Sequence, residues 1–170
     1  MGEEKKEKIV REFSSGGVVF KKSDDKVLFL IAKSRPSKDY PEDVWRLPKG
    51  RLDDENFGLN PGPKARGEVK ASEEEIQKTA LREVREEGGV VAKIIKKLGT
   101  EKFFYTSRQT KQKILKFVTF YLMAYQKDLK IKFLMESEKV EFLEFESAYK
   151  KLSYSGEKKM LKIAKDSLGV

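Results

Sequence analysis

The stretch that most limits what this chain can be is Arg82-Glu83-Val84-Arg85-Glu86-Glu87-Gly88-Gly89, which crowds three carboxylates onto the end of a helix. At about 100° per residue, Ile76, Ala80, Leu81 and Val84 make the apolar stripe that faces a core. Glu87 projects only about 20° from Ile76, and Glu83 about 20° on the other side, so both flank that stripe. Glu86 lies roughly 60° further round from Glu83, while Lys78, Arg82 and Arg85 fall on the opposite, solvated side. An ordinary acidic helix places its glutamates away from the apolar stripe. Here like charges stand at i, i+4, which opposes helix formation by about 0.2–0.5 kcal/mol per pair, and partial burial adds to the cost. A divalent cation among these oxygens turns the repulsion into binding.

Composition narrows the chemistry. The chain has 170 residues, enough for one domain with a substantial core, and its apolar fraction of 38% is ordinary for a globular protein. It contains no cysteine and no histidine. Thiol catalysis, Ser-His-Asp triads and histidine-ligated zinc are therefore excluded, and any metal must be a hard, oxygen-liking ion. The net charge of +9 attracts polyanions, unless the lysines serve only solubility. No run approaches the ~18 apolar residues of a membrane span, so no membrane partner is expected. Residues 1–12 begin with charged Met1–Lys8, without the apolar core of a secretory signal, and read as a flexible leader to a single domain over 13–168. The absence of cysteine fits a reducing, cytoplasmic setting.

The pattern of elements is mixed. Phe13–Lys21 and Val27–Ala32 read as strands joined by the turn Ser23-Asp24-Asp25-Lys26, a hairpin. Val44–Leu47 is a short strand. Ser72, with Glu75 three residues later, starts a helix by a capping box, and Gly88-Gly89 stops it. Val90–Lys97 and Gly99–Tyr105 are extended pieces. Ile114–Tyr125 has strong β-propensity, Lys139–Phe145 is a further strand, and Ser147–Leu152 and Gly156–Leu168 are helices. A mixed β-sheet with helices on both faces follows, an α/β fold.

The acidic segment resembles the core of the Nudix box, Arg-Glu-hydrophobic-x-Glu-Glu-x-Gly-hydrophobic, the signature of Nudix hydrolases. Trp45-Arg46-Leu47-Pro48-Lys49-Gly50 is similar to the strand and turn that open the box, and Ser14–Phe20 to the family's first core strand. Glu74, eight residues before Arg82, matches the box's earlier glutamate. The likeness runs from about residue 13 to about residue 165 and implies the Nudix α/β/α sandwich. One departure stands out: 23 residues separate Gly50 from Glu74, 18 more than the five of the family pattern. The 18-residue loop insertion falls within Arg51–Glu73, punctuated by Gly58, Asn60-Pro61-Gly62-Pro63 and Gly67. Such a length change costs little, about 0.6 kcal/mol per doubling of a loop. The segment is either a substrate lid carrying Lys64, Arg66 and Lys70 or a silent excursion.

The resemblance implies a divalent-metal-dependent pyrophosphohydrolase, in which Mg²⁺ (or Mn²⁺) would neutralise charge on the phosphate chain under attack by water. Glu86 and Glu87 would be the main ligands, Glu83 a further ligand or the base that activates water, and a main-chain carbonyl at Lys49 or Gly50 would complete the sphere. Arg82 and Glu74 would support the carboxylates. Glu136 or Glu138 could supply an extra base or ligand from outside the box. The opening Trp-x-x-Pro-Lys-Gly and the aromatic runs at Phe103–Tyr105 and Phe117–Tyr121 are similar to the diadenosine tetraphosphate hydrolase subgroup. Dinucleoside tetraphosphate is therefore the favoured substrate, with RNA 5′ ends, nucleoside triphosphates or diphosphoinositol polyphosphates as alternatives. A non-catalytic nucleotide or RNA sensor is the reading from another class. Tyr105 or Tyr121 could stack a base. Lys49, Arg46, Arg108, Lys111 and Lys113 are the candidates for gripping phosphates.

Overall fold

Double burial along single strands decides the architecture. The computed structural model describes residues 8–36, 43–52, 61–130 and 137–170. In β1 (Val10–Ser23), neighbouring Val18 and Val19 are both fully buried, and the same holds for Leu30 and Ile31 in β2 (Lys26–Ser34). Successive side chains of a strand point to opposite faces, so this sheet is covered on both sides. Phe120 and Tyr121 repeat the pattern in β6 (Lys113–Asp128). The remaining elements are β3 (Trp45–Arg46), β4 (Lys49–Arg51), α1 (Glu73–Gly88), β5 (Val90–Thr106), β7 (Ser137–Glu144), α2 (Phe145–Lys151) and α3 (Ser155–Leu168).

The strand order is β3-β2-β1-β6-β5, with β7 against β2 and β4 against β1. β1 and β6 run parallel at the centre, from Val10 opposite Ile114 to Phe20 opposite Ala124. Every other pairing in the described sheet is antiparallel. α1 lays Ala80 and Val84 on Val19, Leu30, Tyr121 and Met123. On the other face, Ala148 of α2, Leu152 just past its end, and Leu161 and Ala164 of α3 pack on Val18, Phe29, Ile31, Phe120 and Leu122. The expected mixed sheet with helices on both faces is the observed three-layer fold.

The cap signals at α1 are realised in full. The Ser72 side chain accepts from the Glu75 backbone N–H, the Glu75 side chain accepts from that of Ser72, and Gly89 closes the helix in the left-handed region at φ 65°. The hairpin of β1 and β2 turns at Asp24 and Asp25, as the turn chemistry anticipates. Several boundaries differ from the sequence expectation: β1 begins at Val10, within the stretch 1–12 read as a leader, because Val10, Arg11 and Glu12 pair with Ile114, Leu115 and Lys116 of β6. β5 is one continuous strand, because irregularities at Ile94/Lys96 and Lys97/Gly99 absorb residues that would break the register. β7 ends at Glu144, since Phe145 already belongs to α2 and packs edge-on against Phe29.

The described part of the Arg51–Glu73 segment is tied to the start of β1. Phe13 N–H donates to the Ala65 carbonyl at 2.8 Å and Leu52 N–H to the Phe13 carbonyl at 3.0 Å. Ala65 is fully buried. Lys64 pairs with Glu75, and Arg66 with Glu68 at 3.0 Å. Residues 61–65 are therefore anchored against β1, whereas residues 66–70, which include Arg66 and Lys70 of the segment read as a lid or a silent excursion, are exposed. Residues 53–60 of the insertion lie outside the described residues.

Candidate active site

One edge of β1, the edge away from β6, is shared between two partners, and this split builds the site. Phe20–Ser23 pair with β2, while Ser14–Gly16 pair with Lys49–Arg51 of β4. β4 thereby lies against the acidic end of α1. Lys49 N–H donates to Glu87 Oε2 at 2.9 Å. Gly50 comes so close to Glu83 that a Cβ there would collide with its carboxylate, which accounts for glycine at this turn.

Glu83, Glu86 and Glu87 all border one cleft of about 1140 Å³, together with Gly50, Lys49, Arg46 and Arg82. Glu83 and Glu87 are each only 4% exposed, whereas Glu86 is partly open. Buried carboxylates require compensation, and here arginines supply it. Arg46 Nη2 donates to Glu87 Oε1 at 2.8 Å. Arg82 lies 3.1 Å from Glu83 Oε1 and 3.0 Å from Glu86 Oε2, and also donates to the Arg51 carbonyl at 3.3 Å. The Arg82 side chain remains 41% exposed, as helical spacing places it, while its guanidinium pairs with Glu83 and Glu86. Among the described residues, no three acidic side chains gather into a ready-made cage for a metal ion. The three carboxylates share one cleft, where Arg82 pairs with both Glu83 and Glu86 and Arg46 pairs with Glu87.

The donor set nevertheless suits a hard cation. It consists of carboxylate oxygens beside a glycine turn, in a chain lacking histidine and cysteine.

The far wall of the cleft is basic and aromatic. Tyr105 lines it and donates its hydroxyl to Glu12 Oε2 at 3.0 Å. Glu12 also holds Lys116 at 3.0 Å. Burial pushes the Lys116 ammonium below its ordinary value; the charges of Lys49 and Arg51 push the same way, and Glu12 pushes back. Arg108 and Lys102 stand at the mouth, with Phe103 and Tyr154.

Several residues singled out from sequence lie elsewhere. Tyr121 is 1% exposed in the α1-side core and donates its hydroxyl to Glu73 Oε1 at 2.7 Å, so no ligand can stack on it. Lys111 and Lys113 do not line the cleft; Lys113 sits over the Phe104 ring at 4.8 Å. Glu74 is exposed and pairs with Lys78 at 3.1 Å, one turn away on the solvated side. Glu138 pairs with Lys33 at 3.2 Å on the outer strand β7, and Glu136 lies outside the described residues. Sequence reasoning missed Glu157, a 3%-exposed carboxylate of the cleft that accepts from Lys49 Nζ at 2.5 Å and from Leu47 N–H at 3.0 Å. Its signal was an acidic residue in the first turn of an amphipathic helix, which reads as an ordinary helix start.

Fold and site together define a three-layer α/β/α protein whose acidic helix end opens into a basic cleft. Residues 12–163 match the NUDIX domain, and the chain belongs to that family. The expected class of activity, hydrolysis of phosphoanhydride bonds, goes with this membership, and Nudix hydrolases generally use divalent metal ions. None of the curated proteins matches this chain by sequence. Solved structures are similar in fold. An Ap4A hydrolase from C. elegans, in a binary complex, aligns at TM-score 0.60 and 18% identity over 93% of this chain and 98% of its own. The NUDIX domain of Shewanella oneidensis NrtR, complexed with ADP ribose, aligns at TM-score 0.61 and 16% identity, over 93% and 88%. The E. coli ORF135 protein aligns at TM-score 0.55 and 14% identity, over 95% and 93%. At these identities the likeness concerns the fold.

Proposed function

We propose that this protein is a pyrophosphohydrolase of nucleoside polyphosphates that works with Mg²⁺ or Mn²⁺, and that dinucleoside tetraphosphate is its favoured substrate. The observation that carries this reading is one cleft lined by Glu83, Glu86 and Glu87 and also by Lys49, Arg108 and Lys116. Glu86 and Glu87, with a carbonyl of Lys49 or Gly50, are the groups to hold the ion, and Glu83 is a further ligand or the base that takes a proton from the attacking water. The bound ion supplies charge neutralisation at the phosphate oxygens. Lys49 and Arg46 bind the phosphate chain, and Arg108 extends that grip toward the mouth. Tyr105, with its hydroxyl anchored to Glu12, offers a ring face to a base. A cytoplasmic enzyme fits this substrate class; among the described residues no helix is long and apolar enough to cross a membrane.

One observation favours a second reading, a non-catalytic module that binds a nucleotide. The three carboxylates of the α1 end share two guanidinium partners, Arg46 and Arg82, which offset most of their charge with no ion. A hydrolysis panel separates the two. Dinucleoside tetraphosphate, ADP-ribose, nucleoside triphosphates, triphosphate-ended RNA and diphosphoinositol polyphosphate are incubated with Mg²⁺ or Mn²⁺ and the products identified. Cleavage of the dinucleoside tetraphosphate ahead of the others supports the proposal. Binding with no hydrolysis of any compound assigns the protein to the second reading.

A further inference from the structure

We propose that Glu157 is a positioning residue that fixes the Lys49 ammonium in the cleft and thereby sets how tightly the phosphate chain is held. This rests on the reading that the cleft binds phosphate chains.

Both oxygens of Glu157 are committed to the turn that carries Lys49. Oε1 accepts from Lys49 Nζ at 2.5 Å, and Oε2 accepts from Leu47 N–H at 3.0 Å. The carboxylate sits in the first turn of α3, where unpaired backbone N–H groups favour negative charge, and it is 3% exposed. A carboxylate so buried must keep its donors, so the contact with Lys49 is a fixed feature. The main chain of Lys49 is tethered independently, by its N–H to Glu87 Oε2 at 2.9 Å. One residue thus links the acidic end of α1 to the start of α3.

The surroundings of the ammonium are equally defined. Lys49 Nζ lies 5.3 Å from the centre of the Tyr154 ring and 6.0 Å from that of Phe103, so two aromatic walls restrict its path. Trp45 N–H donates to Ser153 Oγ and Ser153 N–H to the Trp45 carbonyl, each at 2.9 Å. These bonds lock β3 to the loop before α3, so Glu157 and Lys49 are held in one frame. A free lysine spreads its charge over many rotamers, and ordering it opposes binding. Glu157 removes that disorder beforehand while using one of the ammonium's three donors, which leaves two for phosphate oxygens. Each oxygen of Glu157 is engaged by a donor of the Leu47–Lys49 turn, so it acts through Lys49.

A double-mutant cycle tests the proposal. In the full chain, Glu157→Gln keeps an acceptor for Leu47 N–H but loses the charge that holds Lys49. It should raise KM for the substrate cleaved in the panel roughly tenfold, with kcat changed by no more than about twofold. In the Lys49→Met background, Glu157→Gln should leave KM where Lys49→Met alone puts it, because the group it positions is gone. Thermal unfolding of all four proteins identifies a variant that fails to fold, and Glu157→Asp, which keeps the charge, should regain part of the lost affinity. The same cycle is read from the Kd of inorganic tripolyphosphate by calorimetry. It therefore stands even if no substrate is turned over, a result that would remove the proposed function and not this inference. An equal loss of affinity on Glu157→Gln in both backgrounds would overturn the inference, as would an unchanged KM and tripolyphosphate Kd in the native background.

Discussion

Arg46 Nη2 lies 2.8 Å from Glu87 Oε1, so a residue of the two-residue strand β3 neutralises a carboxylate on the last turn of α1. A guanidinium and a divalent ion compete for the same oxygens, and removing one cation strengthens the hold on the other. Arg46→Met is expected to bind Mn²⁺ roughly tenfold more tightly while binding tripolyphosphate less well, since the same side chain is a phosphate donor. Equilibrium dialysis of the metal and calorimetry of the anion check both signs. Unchanged Mn²⁺ affinity would show that Arg46 and the ion do not share Glu87.

That ion pair also changes what to expect of Glu87→Gln. From helical spacing alone, the substitution relieves repulsion between glutamates and leaves the fold intact. In the structure Glu87 is buried against Arg46 and accepts from Lys49 N–H. Glutamine can still accept, but it strands a guanidinium, so unfolding free energy should fall by about 1–3 kcal/mol. Turnover should fall at least about 100-fold, as for loss of a group that stabilises charge in the transition state. Denaturant melts and initial rates decide this; increased stability would contradict the packing argument.

Tyr121→Phe separates a buried phenol from a ligand contact. The Tyr121 hydroxyl donates to Glu73, and burial first, then Glu73, raises the phenol well above its ordinary range. Glu73 is correspondingly held below its usual 4.5, first by Tyr121 and then by Lys97. A depressed carboxylate stabilises the fold above its unfolded value, and that contribution is lost as pH falls through the folded value. Tyr121→Phe should therefore cost about 1 kcal/mol at pH 7, with the difference shrinking below about pH 4, and leave KM unaltered. A raised KM with unchanged melting would restore the stacking role.

The contact of residues 65–67 with Phe13 is tested at Gly67. Its φ is +74°, and a Cβ there would meet the Phe13 ring at 2.5 Å. Gly67→Ala should destabilise by about 1–2 kcal/mol, lowering Tm by several degrees, with no effect on substrate affinity. An altered KM at unchanged Tm would assign this segment to the substrate after all.

What was legible in the sequence is what local chemistry writes. Ser72 and Glu75 mark the start of α1, Gly89 its end, and Asp24-Asp25 the hairpin, because each acts within a few residues of its own position. The inward tilt of Glu83 and Glu87 was also readable, since helical spacing places them beside Ala80 and Val84. Partnerships across the fold were not. Arg46 meets Glu87 across 41 positions and Glu157 meets Lys49 across 108, and no local pattern encodes such distances. Tyr121 misled for a related reason: strand alternation shows that it faces away from Phe120, but not that α1 covers that face. The anchoring of Ala65 on Phe13 likewise depends on which strand the loop meets.

The measurement that bears most directly on the central claim is a titration of the protein with Mn²⁺, followed by the electron paramagnetic resonance of the free ion, for the native chain and for Glu87→Gln. The native protein should take up Mn²⁺, compete for it with Mg²⁺, and lose affinity by at least about tenfold on Glu87→Gln. A native chain that removes no Mn²⁺ from solution, or one whose uptake is indifferent to Glu87, would contradict the account.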